Sequence, residues 1–233
     1  MQYMSRYLAL FAPFVLLAAV VACGESEEDT SSDEPLATTP AATAQITTTP
    51  EPTQNAACAA LPTATGPTAT PPEPQVKSYP AKPEMTIDPS KTYLAHVYTE
   101  TGHIVINLLP DLAPEHVNSF VFLANEKYFD GLSFHRVVPG FVAQTGDPTG
   151  TGSGGPGYTV PLEASETPFD RGVVGMARTN DPNSAGSQWF ITLDPAAHLN
   201  GQYTVFGQVA AGMEVVECIA QGDRIVTLSV EEL

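Results

Sequence analysis

Basic residues are scarce in this chain: nine Lys and Arg stand against 26 Asp and Glu, a formal net charge of −17 over 233 residues. The deficit is spread along the sequence, −7 over residues 24–84 and −11 over residues 85–233, with Arg6 supplying +1. A surface this acidic argues against nucleic acid or anionic lipid as a partner of the fold itself, because phosphates are held by clustered cations. Cysteine is scarcer still, with only Cys23, Cys58 and Cys218. No disulfide framework or metal-ligand spacing emerges from them. Cys218 lies in an apolar run and reads as a small buried hydrophobe. Cys58 reads as a thiol open to oxidation or to pairing between molecules. The five histidines, His96, His103, His116, His135 and His198, never fall in an H-E-x-x-H or other ligand pattern, so no metal and no cofactor is expected. Ser187 sits in "AGSQW" and lacks the G-x-S-x-G elbow of a nucleophile. The glycines Gly150, Gly152, Gly154, Gly155 and Gly157 lack the Gly-Lys-Ser/Thr ending of a phosphate-binding loop and read as a turn segment.

A bilayer-spanning run is also lacking. The uncharged, mostly apolar stretch from Tyr7 to Ala22 has sixteen residues, about 24 Å as a helix at ~1.5 Å per residue, short of a hydrocarbon core of about 30 Å. With Arg6 ahead of it, residues 1–22 read as an export signal. The closing "VVAC" resembles the bacterial lipobox, which makes Cys23 the expected lipidation site and the anchor to the cell membrane, on its extracytoplasmic side. Residues 24–84 then hold eleven of the 22 prolines, twelve threonines and a single aromatic, Tyr79. Such a composition buries too little apolar surface to offset the entropy of ordering it. Residues 23–84 therefore read as the lipidated cysteine plus a disordered linker, a coil spanning about 45 Å, and residues 85–233 as one globular domain.

Within that domain, "TYLAHVYT" (92–99) and "HIVINLL" (103–109) flank Glu100-Thr101-Gly102 and predict a hairpin. Pro114 and Glu115 open a stretch with apolar residues at Val117, Phe120, Val121, Ala124 and Tyr128, the spacing of a helix. Short strand-like runs follow at 132–138, 141–145, 172–177, 188–193 and 203–209, then a second helix over 212–220 and a last strand in "RIVTLSV". Seven or eight short strands with two helices do not alternate as parallel βαβ units would; an antiparallel barrel or sandwich with helical plugs is expected.

Three blocks carry the most specific signal: "FHRVVPGFVAQTGD" (134–147), "GMARTNDPNSAGSQWFIT" (175–192) and "HLNGQYTVFGQV" (198–209). Together, in this order and over residues 92–230, they resemble the cyclophilins, the cyclophilin-type peptidyl-prolyl cis-trans isomerases. The resemblance implies a mainly β fold, a closed eight-stranded antiparallel β-barrel capped by two α-helices. It implies Arg136, Phe141 and Gln144 as catalytic residues, with Val142, Phe190 and Leu199 completing the proline pocket. Gln188 and Tyr203 are implied as further substrate contacts, with Gly152, Ala177 and Asn180 along the neighbouring peptide groove. Three positions depart from the commoner family pattern. Val142 stands for a methionine, Tyr203 for a histidine, and His198 for the tryptophan of cyclosporin-sensitive members. The loop "ARTNDPNS" is one residue longer than the commonest form.

The reaction so implied explains the absences. Rotation about an X-Pro bond breaks no covalent bond and needs no nucleophile, metal or cofactor. The partners expected are proline-containing segments of exported polypeptides, with the domain itself a monomer. A non-catalytic proline-peptide binding module or holdase is the alternative. Such a module needs the aromatic walls more than Arg136 and Gln144, so the presence of both favours the enzyme.

Overall fold

A computed structural model describes Cys58, Leu61 and residues 70–233. The apolar run at 7–22, Cys23 and most of the proline-rich stretch lie outside the described residues. Among the described residues no helix is long and apolar enough to cross a membrane.

The elements run β1 (Tyr93–Thr99), β2 (His103–Leu108), α1 (Pro114–Asn125), β3 (Arg136–Val138), β4 (Val142–Thr145), β5 (Val173–Met176) and β6 (Trp189–Thr192). A 3-10 turn (Ala197–Leu199) follows, then β7 (Val205–Ala211), α2 (Met213–Cys218) and β8 (Ile225–Glu232). The predicted hairpin forms: β1 and β2 pair antiparallel, and the Thr99 amide donates to the Gly102 carbonyl at 2.8 Å. Both strands alternate between fully and partly buried positions, as expected when one face meets the core.

The eight strands form one antiparallel sheet in the order β3-β4-β6-β5-β7-β2-β1-β8. The closed barrel implied by the resemblance is corrected here: β3 and β8 are the two edges of an open ladder and do not pair with each other. The reason is local. β3 has only three residues, all matched to β4. The stretch ahead of it instead bridges the stretch ahead of β8, Ser133 to Arg224. There the Phe134 amide donates to Asp223 at 2.8 Å and the Ile225 amide donates to Leu132 at 2.9 Å. The two edges thus meet at one end only.

In β4, β5 and β6 nearly every residue is buried, without alternation. Successive side chains point to opposite faces, so both faces must be covered. On one face Ala143, Val174, Met176, Trp189 and Ile191 join the main core. There Trp189, fully buried, meets Phe120, Phe129 and Phe134 edge-on at centroid distances of 5.8, 6.4 and 6.3 Å. On the other face Val142, Val173 and Phe190 form a second apolar cluster with Phe169, Leu199 and Val205. That second layer carries the groove described below.

Helix α1 begins with Pro114, whose fixed φ and missing N–H suit the first turn. No side chain of its own caps it. Glu163, from the long loop before β5, does so instead: its carboxylate accepts from the Glu115 amide at 3.1 Å and the His116 amide at 3.0 Å. It also pairs with His116 Nδ1 at 2.6 Å, tying the loop to the helix.

The linker read from composition extends to Glu84, yet residues 70–84 make specific contacts with the domain. Tyr79 packs edge-on against Phe122 at 5.0 Å, and its amide donates to the Pro156 carbonyl at 2.8 Å. Lys82 pairs with Glu115 at 2.6 Å, and Arg224 donates to the Pro72 carbonyl. The reading of the cysteines is also corrected. Cys58 and Cys218 form a disulfide with their Cα atoms 5.5 Å apart, across 160 residues of sequence. Cys218 is therefore a cross-link at the end of α2, and spacing alone carries no sign of a partner so distant. A loop this long restricts the unfolded chain strongly, contributing about 3–5 kcal/mol. Mild reduction, or Cys58→Ser, is expected to lower the melting temperature by roughly 10 °C. An unchanged calorimetric midpoint would show that the bond does not constrain unfolding.

Candidate active site

Strand register assembles the groove. Arg136 on β3 lies opposite Gln144 on β4, Gln144 opposite Phe190 on β6, and Phe190 opposite Gly175 on β5. Directly opposed residues share a face, so this row crosses the sheet on the side away from the main core. Val142, two residues before Gln144, lies on the same face. The tight turn at Pro139-Gly140 then sets Phe141 beside the row, its amide donating to the Val138 carbonyl at 3.0 Å.

The opposite wall comes from loops. The 3-10 turn presents Leu199, and it is fixed by the Ala196 amide on the Phe169 carbonyl and by Asn200 Oδ1, which accepts from the Phe169 amide, both at 2.8 Å. Phe190 is stacked on Phe169 at 5.6 Å and meets Tyr203 edge-on at 5.9 Å. The result is a cavity of about 260 Å³ lined by Arg136, Phe141, Val142, Gln144, Ala177, Arg178, Phe190, Leu199 and Tyr203. A second cavity of the same volume adjoins it, sharing Gln144, Ala177 and Arg178 and continuing past Gly152, Ser153, Thr179, Ser184 and Gln188.

Polar contacts run between the two. Arg136 Nη1 donates to Gln144 Oε1 at 3.3 Å, while its guanidinium carbon lies 5.6 Å from the centre of the Phe141 ring. Gln144 Nε2 donates to Gln188 Oε1 at 3.0 Å, and Gln188 Nε2 donates to the carbonyls of Gly152 at 3.0 Å and Gly154 at 2.9 Å. The glycine loop is itself held by Asp147. This buried carboxylate accepts from the Thr149 amide at 2.7 Å, the Thr149 hydroxyl at 2.8 Å, the Gly154 amide at 3.2 Å and the Gly152 amide. Burial works to raise the Asp147 pKa, but these donors outweigh it and the net displacement is downward.

Ten of the eleven catalytic and substrate-contact residues named from the sequence line one or both cavities: Arg136, Phe141, Val142, Gln144, Gly152, Ala177, Gln188, Phe190, Leu199 and Tyr203. Asn180 does not. It is exposed, and the inner wall at that point is made by Arg178, Thr179 and Ser184. The chain doubles back, with the Thr179 amide on Ser184 Oγ at 2.9 Å and the Asn183 amide on Asp181 Oδ1 at 2.8 Å. Arg178 was given no role from the sequence, and His198 was noted there only as a departure from the family pattern. Arg178 lines both cavities, and His198 stacks on Phe141 at 5.3 Å. Arg178 had one available signal: it is one of only six Lys and Arg in residues 85–233, and it directly follows Ala177.

Gly175 forms the floor of the row. A Cβ there would come within 2.6 Å of both Phe169 Cε1 and Phe190 Cζ. Gly175→Ala is expected to push Phe190 toward the cavity at a cost of about 1–3 kcal/mol, with a matching loss of activity on proline peptides. A variant that kept wild-type stability and kcat/KM would show that the ring stack is not fixed from below.

Arg136 beside Phe141, Val142, Phe190 and Leu199 makes the first cavity an apolar slot with a charged hydrogen-bond donor at its edge. The comparisons with known proteins agree. Residues 94–231 match the family described as cyclophilin type peptidyl-prolyl cis-trans isomerase. A probable peptidyl-prolyl cis-trans isomerase of Brucella suis is 45% identical over 149 residues, covering 59% of this chain and 75% of the relative. Peptidyl-prolyl cis-trans isomerase B of Bacillus subtilis is 46% identical over 130 residues, covering 55% and 90%. Among solved structures, a Cryptosporidium parvum cyclophilin crystallised in the presence of the dipeptide Ala-Pro matches with a TM-score of 0.56 and 30% identity, over 59% of this chain and 98% of that one. The chain belongs to the cyclophilin-type peptidyl-prolyl cis-trans isomerases.

Proposed function

We propose that this isomerase acts on proline-containing segments of exported polypeptides, as a monomeric domain held outside the cytoplasm by a lipid on Cys23. The observation that carries the catalytic part is the placement of Arg136 at the rim of the apolar cavity, oriented by Gln144.

The uncatalysed barrier of about 20 kcal/mol corresponds to one rotation in roughly a hundred seconds. As the X-Pro bond twists, the proline nitrogen leaves the amide plane and regains a lone pair. A donor aimed at that nitrogen stabilises the twisted state and not the planar one. The Arg136 guanidinium is permanently charged and fills this role, worth about 1.5–3 kcal/mol. Phe141, Val142, Phe190 and Leu199 hold the ring in a dry slot, where displacement of water and strain in the bound peptide supply roughly 1–5 kcal/mol more. Gln144 carries both a donor and an acceptor and grips the substrate backbone while the bond turns. Gly152, Ala177 and Gln188 border the groove for the adjoining residues, and Tyr203 closes the proline end.

The export signal at 1–22 and the cysteine of "VVAC" support the location. The stretch between Cys23 and the domain serves as a spacer, and the Cys58–Cys218 cross-link suits an oxidising compartment. Mass spectrometry of the mature N-terminus tests the anchor. A diacylglyceryl-modified Cys23 is expected; an unmodified chain beginning at any other residue would overturn it.

A further inference from the structure

Arg178 is the feature of the groove that the isomerisation step does not use. Its Nε donates to the Gln202 carbonyl at 2.9 Å, its Nη1 donates to the Thr179 carbonyl at 2.8 Å, and its guanidinium carbon lies 4.5 Å from the centre of the Tyr203 ring. These three contacts fix the plane of the group. Nη2 has no hydrogen-bond partner among the described residues, and Arg178 lines both cavities.

Charge pairing sets this residue apart. Of the four arginines among the described residues, Arg171 pairs with Glu217 and Arg224 with Glu73. Arg136 and Arg178 have no carboxylate partner there, and both line the groove. This occurs in a stretch, residues 85–233, with 17 carboxylates to six cations. Among the described residues no Asp or Glu lines either cavity. A fixed, partly buried guanidinium with a free edge is suited to a carboxylate, which accepts a charge-assisted hydrogen bond from it.

We infer that Arg178 is a specificity-determining residue that selects substrates with an acidic side chain near the proline, held in the second cavity. Arg136 remains committed to the twisting amide, so the two guanidinium groups divide the work between catalysis and selection. This inference rests on the isomerase reading only in that the proline occupies the first cavity.

The test uses the full chain and pairs of proline peptides with the same net charge. In one peptide Glu stands within three residues of the proline, on either side in turn. In the other, that position is Gln and the Glu is moved to the far end. NMR titration gives affinity, and exchange spectroscopy on the same samples gives turnover. At one or more positions the near-Glu peptide should bind about three- to tenfold more tightly than its isomer. Arg178→Gln should abolish that ratio and Arg178→Lys should keep part of it. Equal affinities at every position, or a ratio that survives in Arg178→Gln, would overturn the inference. Preference without turnover would support Arg178 and count against the isomerase reading, whereas turnover without preference would do the reverse.

Discussion

Arg136→Ala is expected to lower kcat on proline peptides by about 10- to 150-fold, the range that follows from losing a charge-assisted hydrogen bond of about 1.5–3 kcal/mol at a factor of ten per ~1.4 kcal/mol. Peptide affinity should change far less, because the bond to nitrogen exists only while the amide is twisted. The side chain is exposed at the sheet edge and makes a single hydrogen bond among the described residues, to Gln144, so the variant should fold normally. Arg136→Lys keeps the charge but loses the planar fork that faces both Gln144 and the Phe141 ring. It should recover only a small part of the lost rate. Equal losses in affinity and in turnover would instead assign Arg136 to ground-state binding.

The second large effect is expected at Asp147, away from the substrate. Its carboxylate is buried and accepts from three backbone amides and one hydroxyl. Asp147→Ala leaves several of these donors unpaired and should cost about 3–5 kcal/mol of stability, seen as a lower denaturant midpoint. Because the same loop supplies the Gly152 and Gly154 carbonyls to Gln188, KM should rise as well. The pH dependence follows from the direction of its pKa, which lies below the ordinary 3.8. A depressed folded-state pKa means that the unfolded chain takes up the proton more readily. The contribution is therefore complete above about pH 4–5 and is lost as pH falls toward the folded value. Glu163, also displaced downward through His116 and the helix amides despite its burial, adds to the same acid limb. Asp147→Asn should flatten that limb in acid titrations monitored by circular dichroism; an unchanged limb would remove Asp147 from the acid transition.

Much of the fold was legible because local pattern and tertiary environment agree. The hairpin at 93–108 alternates in sequence and in burial alike, and α1 opens at the proline that marks it. The groove was legible through residues that the sheet register aligns, Arg136, Gln144 and Phe190, although only the resemblance gave them roles. What escaped has physical causes. Cys58 and Cys218 are 160 residues apart, and spacing does not encode such a pairing. The attachment of residues 70–84 rests on backbone carbonyls of Pro72 and Pro156 and on Tyr79, within a composition that otherwise reads as linker. Glu163 and Asp147 act on backbone amides, which no side-chain motif records. Asn180 lies outside both cavity linings, in a loop that turns back on itself and leaves Arg178 at the wall. Barrel closure failed because β3 is too short to reach β8 as a strand.

The central claim is that this domain speeds rotation about X-Pro bonds by donating to a twisted nitrogen from Arg136. Exchange NMR on one proline peptide, with wild type and Arg136→Ala compared at equal bound fractions, measures it directly. Wild type should bring cis and trans signals into fast interconversion, whereas Arg136→Ala should bind the peptide and leave the two signals exchanging at least tenfold more slowly. Interconversion at the wild-type rate in Arg136→Ala would contradict the claim.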